Sequence, residues 1–292
     1  MKIKPLNNCG VEIVDIDVTN LTESDYEEIN EIFLQHLIVV IRNQPRLTVP
    51  YAKIVHRCGK IANWAQSIWD IDGNVIENKP NDIINPFTYK GADDQYPVQR
   101  VTGKIIKGER TGIFGQGKLD WHSNMNGPFN RARGVALQGV SDGIIGTSTS
   151  FMDTTLAYEG MSDELKKRCE GVIGRFEYAP EIWAEGLPDV QLAYMTKNKE
   201  DFYEMPLINL SFRDKIGLYF HFHNKCSFPL DPELLDVLKA HCFQEQFIYK
   251  HEWQPGDIIL MDQVLTLHKR DQDDPAILAE RVLSRYTFNY PR

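Results

Sequence analysis

The 292-residue chain is 42% hydrophobic and 25% charged, enough apolar material for a large core, which excludes a disordered segment or a small disulfide-stapled domain. Its 32 basic against 41 acidic side chains leave a formal charge of −9, which argues against nonspecific nucleic-acid binding and still permits a locally basic cleft. The five cysteines (Cys9, Cys58, Cys169, Cys226 and Cys242) form no C-x-x-C pair, which disfavours a thiolate zinc centre and fits a reducing compartment. No apolar run approaches the roughly 20 residues of a membrane span, and the start lacks a signal-like apolar stretch, so a cytoplasmic protein without membrane contact is expected.

Residues 10–17 alternate apolar and polar side chains, the pattern of a strand with one buried face. Thr22 offers a cap to a helix over residues 23–37, whose apolar stripe is Tyr26, Ile29, Phe33 and Leu37. The formal glycosylation sequon at Asn20 reads as the turn before that helix. Residues 36–42 are β-branched and read as a buried strand, followed by a turn and a short helix from about Thr48.

Residues 70–117 are rich in Asn, Asp, Gly and Pro, with strand-like pieces at 97–103 and 112–115, and are too long for an ordinary connection; a binding or lid region is expected there. Beyond them, residues 135–140 read as a strand, and residues 153–158 open a helix that continues after the capping signal at Ser162. Further strands are predicted over 208–212, 218–222, 247–252, 257–261 and 282–289, with one helix over 232–241. No repeat, interdomain linker or coiled-coil seam is evident, so a homo-oligomer is left open.

The most informative stretch is Leu119-Asp-Trp-His-Ser-Asn-Met-Asn-Gly127, followed far downstream by Asp262-Gln-Val-Leu-Thr-Leu-His-Lys-Arg270 and Arg281-Val-Leu-Ser-Arg285. Taken with the order of the 10–17 opening, residues 38–48, residues 146–149 and Trp253-Gln-Pro-Gly-Asp257, the chain resembles the TauD/TfdA family of non-haem iron, 2-oxoglutarate-dependent oxygenases. The resemblance implies a mainly β architecture with flanking helices, a distorted double-stranded β-helix or cupin-like jelly roll. It further implies one oxygenase domain over residues 1–292, with a long insertion or lid around 70–117. Fe(II) and 2-oxoglutarate are the implied cofactors, with oxygen as cosubstrate, and His122 and His268 the implied imidazole ligands.

Asn124 stands where the family places a carboxylate ligand. A neutral amide can offer only its carbonyl oxygen to a metal, so three readings stay open: weak coordination by Asn124, a position vacated for a halide, or lost turnover. Asp120 precedes His122 where the family acid follows it, and fits a supporting role better than ligation.

By the same resemblance Arg281 and Thr149 hold the distal carboxylate of 2-oxoglutarate, a task suited to a planar two-pronged guanidinium. Arg285, Trp121 and Asn126 are the implied substrate contacts, with Met125 and residues 63–66 and 85–89 as further possibilities, and Asp262 holds the turn before the distant histidine. His221 and His223 share one strand face but lack a defined third ligand, and His56, His241 and His251 read as ordinary hydrogen-bonding side chains. The expected activity is hydroxylation of a small polar or anionic metabolite, such as an amino-acid derivative. The alternatives are a non-haem iron halogenase and a catalytically degenerate small-molecule-binding protein.

Overall fold

The computed structural model describes residues 1–61, 68–69, 75–76, 88–89, 98–115, 119–123, 126–127, 130–177, 179–183, 193, 196–197, 202–210, 213–222 and 225–289. Most of the predicted 70–117 insertion therefore lies outside the described residues. Among them, a nine-stranded sheet runs in the order Lys2–Pro5, Val11–Val14, Ile38–Ile41, Ile258–Asp262, Gly134–Gly139, Leu283–Asn289, Val98–Val101 and Thr88–Tyr89, with Lys60–Ile61 paired beside Leu283–Asn289. Val11–Val14 and Ile38–Ile41 are parallel; every other pair in it is antiparallel.

The inner strands are buried on both faces, and the period of two sorts them. Val39, Ile41, Ala136, Ile258, Leu260, Tyr286 and Phe288 pack under the helices Glu23–His36 and Thr48–Cys58. Their neighbours Ile38, Val40, Val135, Leu137, Ile259, Met261 and Leu283 face the other way, against Phe151 and Tyr249 of a second sheet and Trp253 just beyond its edge strand. That sheet has the order Ile248–Glu252, Ser148–Asp153, Thr266–Arg270. A further three-stranded sheet, Phe202–Pro206, Ile173–Glu177 and Lys225–Ser227, lies outside the predicted strands.

The first helix begins on the predicted cap: Thr22 and Asp25 hold each other's backbone N–H in a capping box. It ends one residue earlier than its apolar stripe suggested, because Leu37 turns left-handed at φ 62° to start the Ile38–Ile41 strand. The turn before Ile258–Asp262 depends on Gly256, at φ +89°, where a Cβ would sit 2.2 Å from the carbonyl oxygen of Gln44.

The expected distorted double-stranded β-helix, or cupin-like jelly roll, is not what these strands form. The large sheet is an open path whose outer strands, Lys2–Pro5 and Thr88–Tyr89, do not pair with each other, and the remaining described strands make separate small sheets. The architecture is mixed α/β with several sheets, and none is closed into a barrel or curled as that fold requires. The physical reason is that alternation reports only which face of a strand is buried. Here helices cover one face of the large sheet and a separate sheet covers the other. No described helix is long and apolar enough to cross a membrane.

Phe151 anchors the second sheet against the first: it is fully buried and stacks between Tyr249 and His268 at centroid distances of 6.3 and 6.2 Å. Phe151→Ala is expected to cost about 3–5 kcal/mol of unfolding free energy, measured by urea denaturation, as transfer and cavity terms add.

Candidate active site

Two cross-strand rows organise the inner face of the second sheet. In one, Phe151 stands opposite Tyr249 on one side and His268 on the other; in the next, two residues along, Thr149 stands opposite His251 and Arg270. His122 extends the first row. Its N–H donates to the His268 carbonyl at 2.9 Å and its carbonyl accepts from the His268 N–H at 2.8 Å, forming an antiparallel bridge. The two imidazoles predicted as ligands thus meet, with ring centroids 4.2 Å apart.

Both rings are buried, and burial pushes both toward the neutral form. His122 is lowered to about 4, with Arg285 and Arg270 adding to the effect; His268 falls well below its ordinary range through burial, then through His122 and Arg285. His122 Nδ1 lies 2.6 Å from the carbonyl oxygen of Asp120. A carbonyl can only accept, so Nδ1 carries the proton and Nε2 keeps its lone pair, the state a metal ligand needs. Asp120 acts here through its backbone, while its carboxylate accepts from the N–H of Trp121 at 2.8 Å.

Thr149 Oγ1 accepts from the indole N–H of Trp253 at 2.9 Å and from Arg281 Nη2 at 3.3 Å. Two accepted bonds leave the hydroxyl proton to donate. Arg281 is 4% exposed, and among the described residues Thr149 is the hydrogen-bond partner of its guanidinium, with Nε buried and unpartnered. Burial, then the neighbouring Arg270, lowers its guanidinium to about 9, so it stays charged at neutral pH. Arg285 is 2% exposed, lowered to about 9 by burial, and donates to Gln99 Oε1 at 2.6 Å. Arg285 follows Leu283 by two residues, which puts it on the strand face turned toward the second sheet.

Asp262 Oδ1 accepts from the N–H groups of Val264 and Leu265 at 2.7 and 2.6 Å, holding the turn that leads to His268. Trp121 faces the other way from His122. Its ring stacks on Phe243 at 5.2 Å with Lys269 above it, in the core shared with Met152 and Leu267. Asn124, Met125, His223 and residues 63–66 and 85–87 lie outside the described residues; Asn126 opens the short strand Asn126–Gly127. His221 is buried with Nε2 3.0 Å from the Tyr203 hydroxyl, and is lowered to about 3 by burial and by His122. Among the described residues no three His, Cys, Asp or Glu side chains converge as a metal cage.

Gln99, Trp253 and Arg270 are site neighbours that the motif reading passed over. Gln99 carries no sequence signal, whereas Arg270 stands one period of two beyond His268. The neutral histidines set a pH dependence. An imidazole with a depressed folded value binds its proton more readily once unfolded, so its contribution is complete above about pH 6.5 and is lost as pH falls toward 4. For metal-free protein, unfolding free energy is expected to fall from pH 6.5 to 4, by up to about 1.4 kcal/mol per pH unit for each such histidine. His122→Phe should flatten that slope in urea titrations.

A family model described as taurine catabolism dioxygenase TauD, TfdA family, matches residues 2–287. The alpha-ketoglutarate-dependent 2,4-dichlorophenoxyacetate dioxygenase of Cupriavidus pinatubonensis is 26% identical over 291 residues, covering 98% of this chain and 95% of that protein. The (S)-phenoxypropionate/alpha-ketoglutarate-dioxygenase of Sphingobium herbicidovorans is 21% identical, covering 91% and 88%. Among solved structures, a taurine dioxygenase from Burkholderia xenovorans superposes with a TM-score of 0.70 at 20% identity, over 99% of this chain and 89% of that one. AAD-2, crystallised with Mn(II) and N-oxalylglycine, gives a TM-score of 0.68 at 18% identity, over 100% and 98%. With the family model spanning nearly its whole length, the chain belongs to the TauD, TfdA family of Fe(II)- and 2-oxoglutarate-dependent oxygenases and is an enzyme of that class.

Proposed function

We propose that this oxygenase hydroxylates a small anionic metabolite, with Fe(II) held by His122, His268 and the side-chain carbonyl of Asn124, all within one domain formed by the chain. The observation that carries this reading is the pair of rows: neutral His122 and His268 lie two strand residues from Thr149, which is hydrogen-bonded to buried Arg281. The donor set suits a divalent iron, since two buried imidazoles held toward the neutral form are the nitrogen half of a facial triad. When bound, the iron and 2-oxoglutarate supply oxidation of a substrate C–H bond coupled to decarboxylation to succinate.

On this reading the protein's own groups do four things. Asp120 fixes the His122 tautomer through its carbonyl. Arg281 and the Thr149 hydroxyl orient 2-oxoglutarate by its distal carboxylate. Arg285, held in plane by Gln99, receives the anionic group of the substrate, with Asn126 as a further contact; the phenoxyacetate, phenoxypropionate and taurine in the relatives' names all carry such a group. Phe151 and Tyr249, both buried, line the His268 row with apolar ring surface, which strengthens these charge interactions. A cytoplasmic setting is consistent with five free cysteines.

Anaerobic calorimetry with Fe(II) followed by 2-oxoglutarate, then succinate formation in air, tests the assignment. Binding of both and slow substrate-free succinate release are expected; failure of both would remove the cofactor assignment. Asn124→Asp restores the ligand charge, and its Fe(II) affinity is expected to rise about tenfold or more. Arg285→Gln should leave substrate-free succinate formation within about twofold while lowering kcat/KM for an anionic substrate by about tenfold to a hundredfold.

A further inference from the structure

Arg270 is 7% exposed and has no role in the reading above. It is the cross-strand partner of Thr149, the residue that receives the Arg281 guanidinium. It also lies on the same face of its strand as His268, two residues on, a step of about 6.5–7 Å. That step is comparable to the length of an extended five-carbon dicarboxylate, so a molecule anchored at His122 and His268 by one end brings its other end to Thr149 and Arg270. Arg270 Nη1 donates to the carbonyl of Phe114, which is itself held at an unusual φ of +52°. A guanidinium is planar, so fixing one N–H fixes the direction of the whole fork.

We propose that Arg270 is a second guanidinium of the 2-oxoglutarate socket, donating to the distal carboxylate beside Arg281 and Thr149; this rests on the site reading given above. Two buried cations side by side repel each other, and the carboxylate between them relieves the repulsion. The arrangement selects for a 2-oxoacid with a second carboxylate at the far end.

The test separates the two ends of the ligand. Mn(II)-loaded protein is titrated calorimetrically with N-oxalylglycine, which carries both carboxylates, and with oxalate, which carries only the metal-binding end. Arg270→Gln is expected to weaken N-oxalylglycine by about tenfold to a hundredfold, with oxalate unchanged within about twofold and Arg270→Lys recovering part of the loss. Arg281→Gln serves as the reference for a distal contact. Equal weakening of both ligands in Arg270→Gln would mean that Arg270 only supports the Phe114 loop and would overturn the proposal. So would unchanged N-oxalylglycine binding in that variant while Arg281→Gln loses it. If the unmodified protein binds neither ligand, the 2-oxoglutarate reading itself fails.

Discussion

The pairing of residues 119–123 with Thr266–Arg270 is the constraint on which the site depends. The reciprocal His122–His268 bonds and the Arg270 N–H on the Leu119 carbonyl join two segments from opposite halves of the chain. Because side chains alternate, a slip of one residue would exchange His268 and Arg270 for Leu267 and Lys269 on the inner face. The Asp262 turn fixes that register at one end, and the Thr149 and Phe151 partners fix it along the strand. Sheet register thus does the positioning that loops perform in many enzymes, and it does so on rigid elements.

The site gathers positive charge in a dry place. Arg281 and Arg285 are almost completely buried, and the partners seen for them, Thr149 and Gln99, are neutral acceptors that set direction without cancelling charge. Burying a cation is costly, and the acidic Asp271 offsets part of that cost at Arg281. Packing around Phe151, Trp253 and the central strands supplies the stability that tolerates it. On the proposed reading, an anion bound between the rows would gain from that positive potential, and the folded state would be stabilised in proportion to ligand saturation.

Much of this was legible in the residues, and the exceptions have identifiable causes. The motif order linked His122 to His268 and Arg281, and the capping signal at Thr22 marked a helix that forms as expected; the single helix expected from Asp153 past Ser162 is instead two, Thr154–Glu159 and Asp163–Cys169, broken at Gly160 and restarted on the Ser162 cap. The helix Pro275–Glu280 was overlooked although Asp274 caps it and Pro275 opens it, because the stretch sits between two motifs and carries little apolar periodicity. The Ile173–Glu177 sheet escaped because its strands are half-exposed, with Phe176 buried among polar neighbours. Sheet closure was misjudged because it was carried over from the family resemblance and strand alternation, being local, could not correct it: an open or closed path depends on which distant strands meet. Trp121 looked like a pocket residue beside His122, yet adjacent residues on an extended segment face opposite sides, and its ring belongs to the outer core.

On the proposed reading, Asn124 changes how the site loads. A carboxylate ligand would bring one negative charge to the divalent metal before any cosubstrate arrives; the amide brings none, and both imidazoles are neutral. The compensating charge must then come from 2-oxoglutarate, whose near carboxylate meets the metal and whose far carboxylate meets the buried arginines. Each component therefore improves the site for the other: the cation lowers the cost of bringing a dianion in, and the dianion supplies the charge that the protein ligand set lacks. Such reciprocal coupling is a thermodynamic necessity once the two interact favourably. On that reading, a weak metal site and a cationic cosubstrate socket would be two halves of one charge balance.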